Sequence, residues 1–307
     1  MPKSDGDRSY RLDRDETVGE GLKRVAAGRA ETAIERLRGI GSGEVDQADA
    51  IHGARKDMKK LRTVLRLLRD ELPKDVYREE MQCYREAARL LSTARDAEVK
   101  LETLDDLAGR TGKLPDEAVE AWRQILDRER EAAANLSGDE REVVDRLEAG
   151  LVRIEGWRLE DDSWKTIDGG LRRAYRRGRR ALRAAEREPS EENFHQWRKR
   201  AKDLWYELQL LSGAWSETLE PLADEAHRLS GLLGDHHDLA VLRADLRERR
   251  LGERETRTLE TAIEARQTGL AREAFPLGRR LYAERPKAFS RRLRRYWEVK
   301  KSSPAGR

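Results

Sequence analysis

Cysteine is almost missing from this sequence: Cys83 is the only one in 307 residues. An internal disulfide framework is therefore excluded, and a reducing compartment is expected. Long hydrophobic runs are missing as well. No stretch approaches the roughly 20 apolar residues that a membrane span needs, and the opening MPKSDGDRSYRLDRDE has no apolar core of a signal peptide. A soluble, cytoplasmic chain with no membrane partner is the expectation. Valine and isoleucine are few, and no segment alternates apolar and polar residues as a half-buried strand does. A surplus of one charge sign is also lacking. Against 64 basic side chains stand 60 acidic ones, for a net charge of +4. A polyanion partner must then be argued from where the charges lie, because the total does not support it.

What is present is charge and helical periodicity. Charged residues make up 40% of the chain and hydrophobic ones 37%. Such a load would suit disorder, but the apolar residues recur at helical spacing almost throughout, with seven Trp and seven Tyr among them. The composition reads as an all-α fold of amphipathic helices with densely charged outer faces.

Helix punctuation gives a coarse map. Helices are expected over about 16–38 (stopped by GIGSG), 46–71 (closed before Pro73), 75–92, 95–108, 115–135 and 138–155, with GWRLEDDSWKTIDGG at 156–170 as the hinge. A basic helix then begins at Leu171. Ser190 is an acceptable N-cap for the next helix, with Glu191 and Glu192 in its positive first turn. Further helices are expected over 217–233, 236–249 and 253–274, followed by a tail broken by Pro276 and Pro286.

The chain repeats itself. IHGARKDMKKLRTVLRLL at 51–68 and FHQWRKRAKDLWYELQLL at 194–211 match without a gap at His52/His195, Arg55/Arg198, Lys56/Lys199, Lys59/Lys202, Leu61/Leu204, Leu65/Leu208, Leu67/Leu210 and Leu68/Leu211. RDAEVKLETL at 95–104 corresponds in the same order to HDLAVLRADL at 237–246, with Asp96 matching Asp238. An ordered pair of matches indicates a duplicated helical bundle with an internal pseudo-two-fold.

On a helix of 3.6 residues per turn, His52, Arg55, Lys56, Lys59, Arg62, Thr63 and Arg66 share one face, and Ile51, Ala54, Met58, Leu61, Leu65 and Leu68 the other. The second copy places His195, Arg198, Lys199, Lys202 and Tyr206 opposite Phe194, Trp197, Ala201, Leu204, Leu208 and Leu211. A solvated face usually mixes signs, because pairs of opposite charge at i,i+4 stabilise by about 0.2–0.5 kcal/mol and like pairs cost as much. The first stripe carries no acid over about 21 Å, which suits an extended polyanion better than one compact phosphate. Pairing with acids of neighbouring helices, such as Asp96 and Asp238, is the competing explanation, and is expected for one or two cations per half. On the helix from Leu171, Arg172, Arg176, Arg179, Arg180 and Arg183 form a further basic face that could line the same groove.

Other chemistry finds little support. In GDHHDLA at 234–240, Asp235, His236, His237 and Asp238 are consecutive, and neighbours on a helix point about 100° apart, so the four cannot converge on one metal ion. The first half has Arg95-Asp96 at the matching place. There is no phosphate-binding Gly-rich loop. Cys83 and the Trp residues at 197, 205 and 215 sit at core spacing, and His227 reads as an ordinary, partly buried histidine. No catalytic residue, metal or cofactor is indicated.

The paired His-x-x-Arg-Lys-x-x-Lys helices, each followed by a helix opening with Arg-Asp or His-Asp, resemble the CHAD family, the conserved histidine α-helical domain. The resemblance covers about 12–298, in halves of about 12–157 and 163–298, leaving 1–11 and 299–307 as flexible tails. It implies two four-helix-bundle-like halves around a basic central groove or pore that binds inorganic polyphosphate, without catalysis, and that can direct proteins to polyphosphate granules. The implied contacts are His52, Arg55, Lys56, Lys59, His195, Arg198, Lys199 and Lys202. The helical-face argument adds Arg62, Arg66, Arg172, Arg176, Arg179 and Arg183. No strand of alternating glutamates, as in the triphosphatase domain often fused to such proteins, is present. Nucleic-acid backbone binding and docking of acidic proteins remain as alternatives. The basic residues lie on central helices and are not interleaved with aromatics, which argues against nucleic acid.

Overall fold

The computed structural model describes residues 9–42, 45–91, 93–111, 116–134, 140–159, 162–249 and 253–302. Among these the chain is helical, with no strand: α1 (Val18–Ser42), α2 (Gln47–Leu67) running into a 3-10 turn (Leu68–Asp70), α3 (Lys74–Leu90), α4 (Thr93–Thr111), α5 (Asp116–Ala134), α6 (Glu140–Glu155), α7 (Lys165–Arg187), α8 (Glu191–Leu211) with a 3-10 turn (Ser212–Ala214), α9 (Ser216–Arg249), α10 (Glu253–Leu281) and α11 (Pro286–Ser302). Among the described residues no helix is long and apolar enough to cross a membrane.

The two helices of the repeat begin at side-chain caps. Asp46 accepts from the Asp49 amide at 3.0 Å, and Ser190 from the Asn193 amide at 3.3 Å, so each satisfies one of the free N–H groups of a first turn. Pro286 opens α11, where a missing N–H costs nothing. The apolar stripes predicted for these helices are core. Met58, Leu61, Leu65, Trp197 and Ala201 are all fully buried. Thr63 and Tyr206, placed by periodicity on the polar faces, are buried as well. Tyr206 stacks on Trp205 at 4.6 Å and meets Tyr10 edge-on at 6.4 Å.

Several expected breaks do not occur. The helices expected at 217–233 and 236–249 are one helix, α9, which runs through Gly234. Pro276 lies inside α10. Phe275, next to it, is partly buried, stacks on Trp197 at 5.4 Å and also packs on Phe194, and this packing helps to offset the lost helical bond. The hinge is shorter than 156–170, because α7 already starts at Lys165 and holds Gly169 and Gly170 within it. A Cβ on Gly170 would lie 2.6 Å from Leu67 Cα and run into the Leu67 carbonyl oxygen, so this glycine lets α7 cross the end of α2 at backbone contact. At the N-terminal edge of the expected domain Leu12 is fully buried and its amide donates to Leu210 O at 2.9 Å, and α11 runs to Ser302. Trp215 is 47% exposed, against Tyr296, and is not core.

Two apolar cores form. The larger draws on α1–α3 and α6–α11. The smaller holds Leu104, Leu107, Val119, Trp122 and Leu126 of α4 and α5 against Leu239, Leu242 and Leu246 of α9 and Leu259, Ile263 and Leu270 of α10. Leu232 touches both. The second core matters for function, because it fixes α4 in front of α2 and α8.

Candidate functional site

A cleft of about 790 Å³ opens between these helices. α2 supplies His52, Arg55 and Lys59, spaced so that successive turns of one helix face bring them to the same wall. α8 supplies the matching pair Arg198 and Lys202. The facing wall is α4, with Val99, Lys100, Glu102, Thr103, Asp106 and Arg110, completed by Asp235, His237, Asp238, Leu239 and Val241 of α9 and Arg266 of α10.

The first wall is electrostatically crowded. Burial lowers the Lys59 ammonium to about 7, and Lys202, Arg55, Arg198 and Arg62 push in the same direction. Burial likewise lowers Lys202 to about 8, helped by Arg198, while Asp238 pulls it back up. Cations from the two copies of the repeated motif therefore lie within each other's field. Among the described residues no carboxylate forms an ion pair with Lys59 or Lys202. Asp238 does approach Arg198, at 3.7 Å, and the side chains of Arg95 and Asp96 lie outside the described residues. Arg55 donates to Leu91 O at 3.3 Å.

The histidines behave as the cationic surroundings dictate. His195 is lowered to about 4 by burial and then by His237, Lys199 and Arg198. The His237 imidazole is held at about 4 by burial, Arg198 and Lys199. The two rings lie 4.3 Å apart, a spacing that two neutral imidazoles tolerate and two imidazolium ions would not. His236 turns the other way, stacked on Phe194 at 4.0 Å, away from Asp235, His237 and Asp238 on the cleft wall. Among the described residues no group of three or more His, Cys, Asp or Glu is placed to hold a metal. Cys83 is half-buried against Arg146 O, and burial raises its thiol.

Of the residues singled out from sequence, His52, Arg55, Lys59, Arg198 and Lys202 line the cleft. Lys56 does not; its ammonium lies 5.7 Å over the Trp205 ring, which in turn stacks on His227 at 3.9 Å. Lys199 is exposed, and His195 reaches the cleft only through His237. Arg62 and Arg66 sit farther along α2. Arg66 Nη2 donates to Asp203 Oδ1 at 2.7 Å, and Arg200 Nη1 to the other oxygen at 2.9 Å. The α7 arginines lie outside the cleft, because α7 packs behind α2 and α8 and not in front of them. Arg172 pairs with Asp168 on its own helix at 2.7 Å, Arg176 and Arg183 are exposed, and Arg179 is half-buried.

Sequence reasoning missed the facing wall. Lys100, Thr103, Asp106 and Arg110 recur at three- and four-residue steps, the signature of one helix face, but an isolated stripe of mixed sign looks like any solvated surface.

The fold has relatives. PptA from Streptomyces chartreusis superposes with a TM-score of 0.63 at 14% identity, covering 85% of this chain and 99% of that one. The crystal structure of the CHAD domain from the plant Ricinus communis superposes with a TM-score of 0.59 at 18% identity, covering 94% of each chain. No curated protein matches the sequence. The CHAD domain family model matches residues 26–247. With the motif, the helical fold and this match over most of its length in agreement, the chain belongs to the CHAD domain family.

Proposed function

We propose that this chain is a non-catalytic binding protein for inorganic polyphosphate, with two pseudo-symmetric halves meeting at a basic groove of which the cleft is the central part. One observation carries the reading. Lys59 and Lys202, one from each copy of the motif, are crowded by Arg55, Arg198 and each other, with no ion-paired carboxylate among the described residues. Such crowding is unfavourable in the free protein and becomes favourable when a chain of phosphates enters. Arginine forks and lysine points of charge are the side chains that hold phosphate oxygens. A slender polyanion also suits a cleft closed on its far side by α4, whereas a duplex would need an open face. Family membership supports the same ligand class, and a role at polyphosphate granules would follow from it.

The test compares ligands and variants. Long-chain polyphosphate should bind far more tightly than orthophosphate and outcompete duplex DNA at about 0.15 M salt, with affinity falling steeply as salt rises. Reversing charge at Arg55, Lys59, Arg198 and Lys202 to Glu should abolish binding while circular dichroism stays helical. Equal affinity for duplex DNA and polyphosphate, or binding that survives the four reversals, would refute the proposal.

A further inference from the structure

The cations do not end at the cleft. Lys59 feels Arg62, and Arg62 feels Arg66. Arg66 shares the carboxylate of Asp203 with Arg200. Beyond Arg200 stands Arg177 of α7, which in turn lies in the field of Arg69 and Arg173. The succession leaves α2 at its C-terminal end, with Arg69 about 25 Å from His52 along the helix axis.

This second cluster is built by the close crossing of α7 over the end of α2 at Gly170. Arg173 donates to Asp70 at 2.8 Å, which fixes α7 beside the 3-10 turn. Arg69 and Arg177 are both exposed, and among the described residues neither has a carboxylate ion pair. Arg69 lies 5.9 Å over the Tyr77 ring. Burial opposes the charge of Arg177 most, and Arg200, Arg69 and Arg173 add to it. Two acids, Asp70 and Asp203, hold Arg173 and Arg200 in position, and a guanidinium held on one edge still has donors for phosphate on the other.

We propose that Arg69, Arg173, Arg177 and Arg200 form a second phosphate-binding station, remote from the cleft, which engages the same polyphosphate chain after it passes the end of α2. The proposal rests on the polyphosphate reading of the cleft and adds a site to it. It is a different face of α7 from the one sequence periodicity favoured: residues 173 and 177 matter, and 172 is neutralised by Asp168. Two stations on one chain make binding length-dependent, since the second contact is intramolecular once the first has formed.

The experiment measures long-chain polyphosphate binding against salt for the full chain carrying Arg69→Gln and Arg177→Gln. These substitutions leave the Arg173–Asp70 and Arg200–Asp203 pairs intact. The expected result is a loss of about tenfold near 0.15 M salt and a log–log salt slope shallower by about 1.5, as for two lost phosphate contacts. A control with Arg228→Gln and Arg294→Gln removes the same charge from arginines paired with Glu225 and Glu298 on their own helices, and should change little. Unchanged affinity and slope in the Arg69/Arg177 variant, or an equal loss in the control, would overturn the second station. If the four cleft reversals abolish binding while the Arg69/Arg177 variant matches the unaltered protein, the station fails and the cleft reading stands. If the unaltered protein binds no polyphosphate, both fail.

Discussion

Raising the pH should release polyphosphate well below the pH at which ordinary lysines titrate. In the free protein Lys59 is lowered to about 7 and Lys202 to about 8, each first by burial and then by neighbouring cations. Phosphate oxygens beside an ammonium favour its charged form, so in the complex both should return toward the usual lysine range near 10.4. Binding then takes up protons, and by linkage the affinity is greatest below the free-protein values and declines as pH rises through them. At pH 9 the cost of recharging is about 100-fold for Lys59 and about tenfold for Lys202 relative to pH 6, from the distance between pH and each free value. Calorimetric titration in two buffers of different ionisation enthalpy reads the proton uptake directly, and affinities at pH 6, 7, 8 and 9 read its consequence. Arginine at either position stays charged, so Lys59→Arg should flatten the profile most. Affinity that is level from pH 6 to 9, or protons released on binding, would refute the crowding argument.

Two further outcomes follow from the packing. Gly170→Ala should destabilise by about 2–3 kcal/mol, an overpacking cost, because its Cβ would meet the Leu67 backbone; thermal unfolding checks this, and an unchanged Tm would mean that α7 crosses α2 less closely. Glu207 is 1% exposed, with neither carboxylate oxygen hydrogen-bonded among the described residues, and burial, then Asp203, raises it well above the usual carboxylate range. The native state therefore keeps a proton that the unfolded chain loses, and stability is drained as pH rises above the unfolded value. Glu207→Gln should raise Tm at pH 8 and change it little at pH 4; a variant no more stable at pH 8 would contradict a protonated Glu207.

Much of this protein can be read along one helix at a time. The caps Asp46 and Ser190 and the apolar stripes of α2 and α8 follow from local pattern, and so does the cationic stripe that contains Arg55 and Lys59. Failures occur where a distant side chain outweighs a local signal. Pro276 and Gly234 look like stops, yet their helices continue, and Phe275 beside Pro276 is held by Trp197 and Phe194 from another helix. Gly169-Gly170 looks like a hinge and is instead the contact point between α7 and α2. Tyr206 falls on the polar face by periodicity but is covered by its neighbour Trp205 and by Tyr10, which comes from the far N-terminal segment.

The sequence by itself determined the all-helical class, the repeated motif and the identity of its cations, because each is a matter of composition, spacing or self-comparison. Only the tertiary structure decided which of those cations share a cleft. It set Lys59 against Lys202, put α4 in front of them, drew Arg66 onto Asp203 and carried the α7 arginines to a separate face. The physical reason is that a helical pattern fixes the direction of a side chain only relative to its own axis. Where two axes cross is set by long-range packing, here by a second hydrophobic core and by a glycine small enough to let two backbones touch.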